Sequence, residues 1–113
     1  MKRLIAALSL GCLAAVAVAA PDREDIEITF DRNKGKIYAL YARELKNQPG
    51  LQGRVDLALD IATDGRVADC RVVSSTIPSP KLIAEFCPLI RQFQFAPRPA
   101  RATFTKRIDF AAG

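Results

Sequence analysis

The stretch Gly53-Arg-Val-Asp-Leu-Ala-Leu-Asp-Ile61 decides the fold, because apolar and polar residues alternate along it without interruption. Alternation with a period of two is typical of a half-buried β-strand. The apolar residues that share one face are Val55, Leu57, Leu59 and Ile61. The chain continues with Thr63-Asp-Gly-Arg66, in which Asp-Gly supplies the positive φ angles of a hairpin turn. The stretch therefore predicts the first strand of an antiparallel hairpin.

Two later stretches predict the rest of a sheet. Residues 67–75 predict the second strand, and their apolar positions change parity, so we expect a β-bulge near Ala68-Asp69. Residues 103–110 predict a third strand, with Phe104, Ile108 and Phe110 on one face. Lys106 interrupts that face. This favours a position at the edge of the sheet, where an inward lysine discourages unwanted pairing.

A first helix is predicted ahead of the sheet. Asp31 or Asn33 is expected to cap it, and it should run to about Lys46, before Asn47-Gln-Pro-Gly50 ends it. Its apolar stripe, with one charge at the border, consists of Ile37, Leu40, Tyr41, Glu44 and Leu45. Residues 26–30 precede this helix, and their sequence fits either a brief strand or a hydrophobic lead into the helix.

A second helix is predicted between the second and third strands, over residues 81–93. Ser79 is a suitable N-cap, and Pro80 suits the first helical position because a missing N–H costs nothing there. Its predicted buried stripe consists of Ile83, Phe86, Cys87, Ile90 and Phe93. Pro88 lies inside the helix and removes a backbone donor, so we expect a kink or a short break at Phe86-Cys87.

The N-terminus has the pattern of a secretory signal peptide. A basic start, Met1-Lys-Arg3, precedes an apolar run, and Ala17-Val-Ala19 is a small-residue cleavage site. The sequence predicts cleavage after Ala19 and a periplasmic protein. A retained inner-membrane anchor and lipidation at Cys12 are the alternatives.

Charge and cysteine content narrow the class of protein. Removing residues 1–19 takes away Lys2 and Arg3 and leaves 15 basic and 12 acidic residues, a net charge of +3. This balance gives no support for nucleic-acid binding. The mature part keeps two cysteines, Cys70 and Cys87, and an exported chain of this kind is expected to join them in a structural disulfide.

No catalytic constellation is present in the sequence. The chain has no histidine, so Ser74, Ser75 and Thr76 lack the base that a hydrolase nucleophile needs. Two thiols without histidine do not suit a zinc site, and their spacing is not that of a thiol-disulfide enzyme. The sequence predicts a protein that is not an enzyme and that has no catalytic residue, cofactor or metal.

Four motifs occur in a characteristic order. They are Leu51-Gln-Gly-Arg-Val55, Ile61-x-x-Asp-Gly-Arg-Val67, Cys70-Arg-Val-Val-Ser-Ser75 and Phe93-x-Phe95-x-Pro97. Together they resemble the C-terminal domain of TonB-family energy transducers, and most of all the variant at the end of gliding-motility proteins. The resemblance implies an α+β fold, a three-stranded antiparallel sheet with two helices packed on one face. The predicted organisation is a signal peptide (1–19), an N-terminal segment (20–33) and a TonB C-terminal-like domain (34–113).

The resemblance also implies a binding site. In this family the domain binds a short extended peptide of an outer-membrane transporter by strand addition beside its last strand. The residues carried over by position are Phe104, Thr105, Lys106, Arg107, Ile108, Asp109 and Phe110. Arg98 and Arg101 are expected beside this strand, where with Arg107 they form either a solvated face or a patch that favours an acidic partner.

Several functional alternatives remain at the level of sequence. The chain is expected to be a periplasmic module that binds a protein or extended peptide, with a homodimer through the same edge strand as a further possibility. If the signal is not cleaved, it is a membrane-anchored accessory or a small energy-transducing component of an envelope complex. If residues 26–30 cover the edge, the domain offers no binding strand.

Overall fold

The computed structural model describes residues 20–111, so the predicted signal peptide lies outside the described residues. The elements in chain order are α1 (Ala20–Leu45), β1 (Gly53–Ile61), β2 (Val67–Ser75), α2 (Pro80–Ile90) and β3 (Ala102–Phe110). The strands form one antiparallel sheet in the order β2-β1-β3. The predicted α+β fold with a three-stranded antiparallel sheet and two helices is confirmed.

The central strand β1 organises the core. Its four apolar side chains are at most 2% exposed, and they form the buried face that the alternation predicts. Complete burial of one such side chain stabilises a protein by about 1.5–3 kcal/mol. Because β1 pairs with β2 on one side and with β3 on the other, this face also fixes the register of the whole sheet.

The β1–β2 hairpin has the predicted turn and bulge, and a second bulge besides. Gly65 has φ +88°, and a Cβ atom there would collide with the carbonyl oxygen of Phe95. The register shifts once at Ala68, as predicted, and again at Val73. The second shift was not predicted, because two adjacent valines, Val72 and Val73, hide the change of parity. Val73 is 55% exposed, whereas Val72 packs against the core.

Helix α2 has the predicted N-cap but continues past its internal proline. The Ser79 hydroxyl accepts a hydrogen bond of 3.1 Å from the Leu82 N–H. The helix is continuous between Pro80 and Ile90, so the short break that was one of the two predicted outcomes does not occur. Buried contacts on both sides of Pro88 hold the last turn in place. The fully buried stripe is Leu82, Phe86 and Ile90, while Ile83 and Cys87 are half-buried.

Helix α1 begins much earlier than predicted. It starts at Ala20 and not at Asp31 or Asn33, and residues 26–30 are helical. Apolar residues at positions 26, 28 and 30 imitate a strand, but Ile28 is 48% exposed, whereas Ile26 and Phe30 are buried one helical turn apart. The Phe30 ring lies 5.9, 5.7 and 6.4 Å from the rings of Phe93, Phe95 and Phe104. These tertiary contacts extend the helix toward the N-terminus.

A disulfide joins the second strand to the second helix. Cys70 and Cys87 are bonded, with their Cα atoms 5.6 Å apart, so the predicted bridge is confirmed. It closes a loop of 17 residues. A bridge over a loop of this length contributes about 3 kcal/mol to the free energy of unfolding.

Candidate functional site

The candidate site is the outer edge of β3, the side of that strand that faces away from β1. In the described part of the chain β3 pairs with β1 alone, from Ala102 opposite Ile61 to Phe110 opposite Gly53, with no register shift. In a regular antiparallel pair, residues alternate between those that exchange hydrogen bonds with the partner strand and those that do not. Half of the β3 backbone groups therefore point outward.

The hydrogen bonds of Arg54 show which residues of β3 have outward-pointing backbone groups. Its N–H donates to the Thr76 hydroxyl and its C=O accepts from the Thr76 N–H, both at 2.9 Å, so both groups face away from β3. The residue opposite, Asp109, must then turn its own N–H and C=O outward. By alternation, the outward-facing residues are Thr103, Thr105, Arg107 and Asp109.

Hardly anything in the described chain occupies these outward groups. No backbone–backbone hydrogen bond within residues 20–111 reaches them from outside the sheet. The hydroxyl of Tyr38 donates to the C=O of Asp109 over 3.4 Å, which agrees with the outward direction of that carbonyl. The six N–H and C=O groups of Thr103, Thr105 and Arg107 form no hydrogen bond with a described side chain.

A groove runs beside this edge, between α1 and β3. Its volume is about 280 Å³. The lining residues are Phe30, Asp31, Lys34, Ile37 and Tyr38 of α1 and residues 106–109 of β3. Segment 26–30 thus packs on the helix-facing side of the sheet and contributes a wall of the groove. It forms no backbone hydrogen bond with the outer edge of β3.

Lys106 lies at the edge on the helix-facing side. Its ammonium donates to the carboxylate of Glu27 over 2.7 Å and lies 5.4 Å from the centre of the Phe30 ring. The apolar residues on the same side of β3, Phe104, Ile108 and Phe110, are at most 7% exposed. The prediction that an inward lysine marks an edge strand is confirmed.

Two of the predicted arginines lie on the opposite, open face of the sheet, and both are paired. The Arg107 guanidinium donates to the carboxylate of Asp56 at 2.8 and 3.3 Å, and Arg101 donates to Asp60 at 3.3 and 3.2 Å. Hydrogen bonds from Arg107 and from the Ser74 hydroxyl hold the pKa of Asp56 below its ordinary value of 3.8. The carboxylates of β1 therefore compensate the positive charge expected along this edge.

Arg98 does not form part of an exposed patch. The whole residue is 6% exposed. Its backbone N–H donates to the C=O of Thr63 over 2.8 Å, and its Nε donates to the C=O of Ala96. These contacts hold it near the hairpin turn. The expectation that Arg98 offers a surface charge to a partner therefore needs correction, because the segment after α2 folds back onto that turn.

Ser74, Ser75 and Thr76, which lack the base that a nucleophile needs, form hydrogen bonds within the sheet. The Ser74 hydroxyl donates to Asp56 over 2.9 Å and the Ser75 hydroxyl donates to the C=O of Arg54 over 3.1 Å, while Thr76 accepts from the Arg54 N–H. Within residues 20–111, no group of three or more Cys, Asp or Glu side chains is placed to hold a metal ion.

The groove was not predicted from the sequence, because the expected helix began too late. Once α1 includes residues 26–30, a spacing of four places Phe30, Lys34 and Tyr38 along one line of the helix. Tyr41, three residues after Tyr38, is buried in the core, and its hydroxyl donates to the C=O of Leu51 over 2.6 Å. Tyr38 remains at the rim with 42% of its surface exposed.

The fold and this edge can be compared with known proteins. The family model for the C-terminal region of the Gram-negative bacterial TonB protein matches residues 39–111. The chain belongs to the TonB C-terminal family. The resemblance inferred from the four motifs is thereby confirmed. The family is non-enzymatic, is associated with energy transduction and transport at the cell envelope, and interacts with proteins such as outer-membrane transporters.

Two solved structures are similar to this TonB C-terminal family member. The TonB C-terminal domain of Helicobacter pylori is 16% identical, with a TM-score of 0.51 over 97% of this chain and 98% of that one. It supports the fold. The TonB C-terminal domain of Pseudomonas aeruginosa is 29% identical, with a TM-score of 0.48 over 60% of this chain and 72% of that one. No curated protein matches the chain.

Domains of this family are typically periplasmic. Within residues 20–111, no helix combines the length and the apolar character needed to cross a membrane.

Proposed function

We propose that the chain is a periplasmic binding module that takes up an extended segment of a partner protein as an additional strand at the outer edge of β3. The observation that carries this proposal is the outward direction of the N–H and C=O groups of Thr103, Thr105 and Arg107, on a strand whose register is uninterrupted. A straight edge with free donors and acceptors is the template that strand addition requires.

The partner class follows from the chemistry of this edge and from the family. Backbone groups recognise an extended conformation and depend little on the side chains of the added strand. Members of the family interact with outer-membrane transporters, and an extended segment of such a transporter is the partner we propose here. A second copy of this chain could use the same edge, and an oligomer that forms without added peptide would support that alternative.

The arginines are proposed to have a minor role. Arg101 and Arg107 are already bound to Asp60 and Asp56, so they add little net attraction. Exposed ion pairs are screened by salt and act mainly on association rates. We expect Arg101→Ala to weaken the binding of an acidic peptide slightly at low salt and to have no effect at physiological salt.

The location is proposed from the sequence and the family together. Residues 1–19 are proposed to act as a cleaved signal that delivers the chain to the periplasm. Fractionation with N-terminal sequencing tests this, and a mature chain beginning at Ala20 is expected. Intact chain in the inner-membrane fraction would instead support the anchored alternative.

Binding by strand addition is tested with proline and alanine at one position. Thr105→Pro deletes an outward N–H without breaking a bond to β1, so we expect a folded protein that no longer binds. Thr105→Ala is the matched control, because it removes the same side chain and keeps the N–H, and it should bind normally. Pull-down of envelope proteins with each variant, followed by titration with peptides of the captured proteins, measures the effect.

A second pair of variants tests the direction of the backbone groups. Arg107→Pro should behave like Thr105→Pro, since the two residues have the same parity. Lys106→Pro should destabilise the fold instead, because its N–H faces Leu57 of β1. If Thr105→Pro and Arg107→Pro bind as well as the unchanged protein, the outer edge of β3 is not the binding surface.

A further inference from the structure

The groove between α1 and β3 is a separate feature of the site from the backbone edge. Its α1 wall is formed by residues 30–38, and the family match begins at residue 39. The wall therefore lies outside the region that the family model describes. The early start of α1, which buries Ile26 and Phe30 against the sheet, holds this wall in position.

A strand added to β3 must place side chains in this groove. Successive side chains of a strand point to opposite faces of the sheet, so every second one lies on the side of the helices. On that side the neighbours in β3 are Lys106 and Ile108, which both line the groove. Directly opposed side chains of adjacent strands are close enough to contact each other.

The open shape of the groove suits a side chain of an added strand better than a free small molecule. Small-molecule pockets occupy about 300–1,000 Å³ and enclose most of the ligand. This groove has about 280 Å³ and is open along the edge of β3. It adjoins the outward backbone groups of Arg107, so the added residues on either side of the one paired with Arg107, opposite Lys106 and Ile108, reach the groove directly.

The chemistry of the groove favours an apolar side chain. Phe30, Ile37 and Ile108 are its buried lining residues, and the partly exposed Tyr38 ring also lines it, packed edge-on at 5.2 Å against Phe110. Lys106 is bound to Glu27, and three more charged lining residues, Asp31, Lys34 and Asp109, are exposed and carry charges of both signs. A charged guest would lose water against these buried side chains, and a nearby charge of like sign would oppose it, whichever sign it carries.

We propose that the α1–β3 groove selects among added strands by accepting one large aliphatic or aromatic side chain between Ile108 and the ring of Tyr38. This inference rests on the proposed function, since the strand must first be bound at the edge. The α1 residues of the groove are then specificity-determining residues that lie ahead of the region matched by the family model.

The test is a coupling measurement between the peptide and Tyr38. The probes are acetylated nine-residue peptides of alternating threonine and valine that carry leucine, alanine or aspartate at one guest position. Two sets are used, in which the guest position differs by one residue, so that the guest faces the groove in one of them. Each is titrated into the 15N-labelled mature protein, and the amide shifts of β3 report the affinity. In one set we expect leucine to bind about tenfold more tightly than alanine, which is about 1.4 kcal/mol.

Variants of Tyr38 separate the ring from its hydroxyl. Tyr38→Ala should reduce the preference for leucine to about twofold or less, whereas Tyr38→Phe should keep it, because the ring remains. Ile28→Ala is the matched control, since it removes another exposed apolar side chain from α1 outside the groove and should leave the preference unchanged.

The outcomes distinguish this inference from the proposed function. Suppose that Thr105→Pro abolishes binding of every peptide, but that the unchanged protein binds the leucine and alanine peptides equally in both sets. The edge then binds strands, but the groove does not select among them. The same holds if Tyr38→Ala weakens the leucine and alanine peptides equally. If Thr105→Pro leaves binding unchanged, strand addition itself is wrong.

Discussion

The two edges of the sheet differ in regularity and in what occupies their backbone. Strand β2 carries bulges at Ala68 and Val73, and it is bonded to α2 through Cys70. The Arg91 guanidinium also donates over 3.1 Å to the Cys70 C=O on the outer side of β2. Strand β3 pairs along nine residues without a bulge, and most of its outward groups are unoccupied within residues 20–111.

This difference shows which edge is protected against pairing. Proteins protect exposed strand edges with bulges, with charged side chains and with covering elements, because a free edge pairs with other chains. Two bulges and the hydrogen bond from Arg91 act on β2, whereas β3 has no bulge and its one inward lysine, Lys106, is bound to Glu27. The contrast supports a binding role for β3. The following experiments test the contacts that secure β2 and those that join β3 to the sheet.

The largest expected effect comes from removing the disulfide that fixes β2. The double variant Cys70→Ser, Cys87→Ser should lose about 3 kcal/mol in the free energy of unfolding, because the unfolded chain gains the freedom that the bridge removes. Urea unfolding measures this, with the reduced unchanged protein as a second way to break the same bond. Equal stability of the bridged and unbridged forms would contradict the assigned role.

A smaller effect is expected from uncovering the outer side of β2. Arg91→Ala removes the donor to the Cys70 C=O and should cost about 1 kcal/mol or less, since a typical net hydrogen bond contributes that much. Arg43→Ala is the matched control, because Arg43 is exposed and its carboxylate partner Glu85 lies 4.0 Å away, on α2. A larger loss for the control than for Arg91→Ala would show that this contact does not secure β2.

The smallest effect concerns the carboxylate that joins all three strands. Asp56 of β1 binds Arg107 of β3 and Ser74 of β2, and these contacts lower its pKa in the folded state below 3.8. The unfolded chain therefore takes up a proton first as pH falls. Stability from these contacts is complete above 3.8 and is lost as pH falls through the folded pKa.

Asp56→Asn tests this dependence. The asparagine variant should show a shallower loss of stability than the unchanged protein when unfolding is compared at about pH 6 and about pH 3. Asp31→Asn is the control, because it makes the same substitution at a carboxylate that has no ion pair or hydrogen bond within residues 20–111. Identical slopes for all three proteins would rule out this contribution.

The sheet could be predicted closely from the sequence, because its signals are local. The alternation in residues 53–61, the Asp-Gly turn and the Ser79-Pro80 start of α2 each specify one conformation, and the structure has them at those positions. The bulge at Ala68 could also be predicted, since an apolar residue changes face there. The β3 edge was predicted by its inward lysine.

The features that could not be predicted depend on tertiary contacts. The start of α1 at Ala20 depends on the packing of Phe30 against three aromatic rings that lie far away in sequence. The α1–β3 groove depends on that start, so it was missed as well. The burial of Arg98 depends on the path of the chain after α2, which carries no periodic signal.

The most direct test of the central claim is site-resolved amide hydrogen exchange with and without a bound peptide. In the free protein, the amides of Thr103, Thr105 and Arg107 should exchange rapidly, while Lys106 and Ile108, which face β1, should be protected. Bound peptide should slow exchange at the three outward amides and leave the outward amide of Cys70 in β2 unchanged. Slower exchange at β2 amides, or unchanged exchange at every outward amide of β3, would contradict strand addition at the β3 edge.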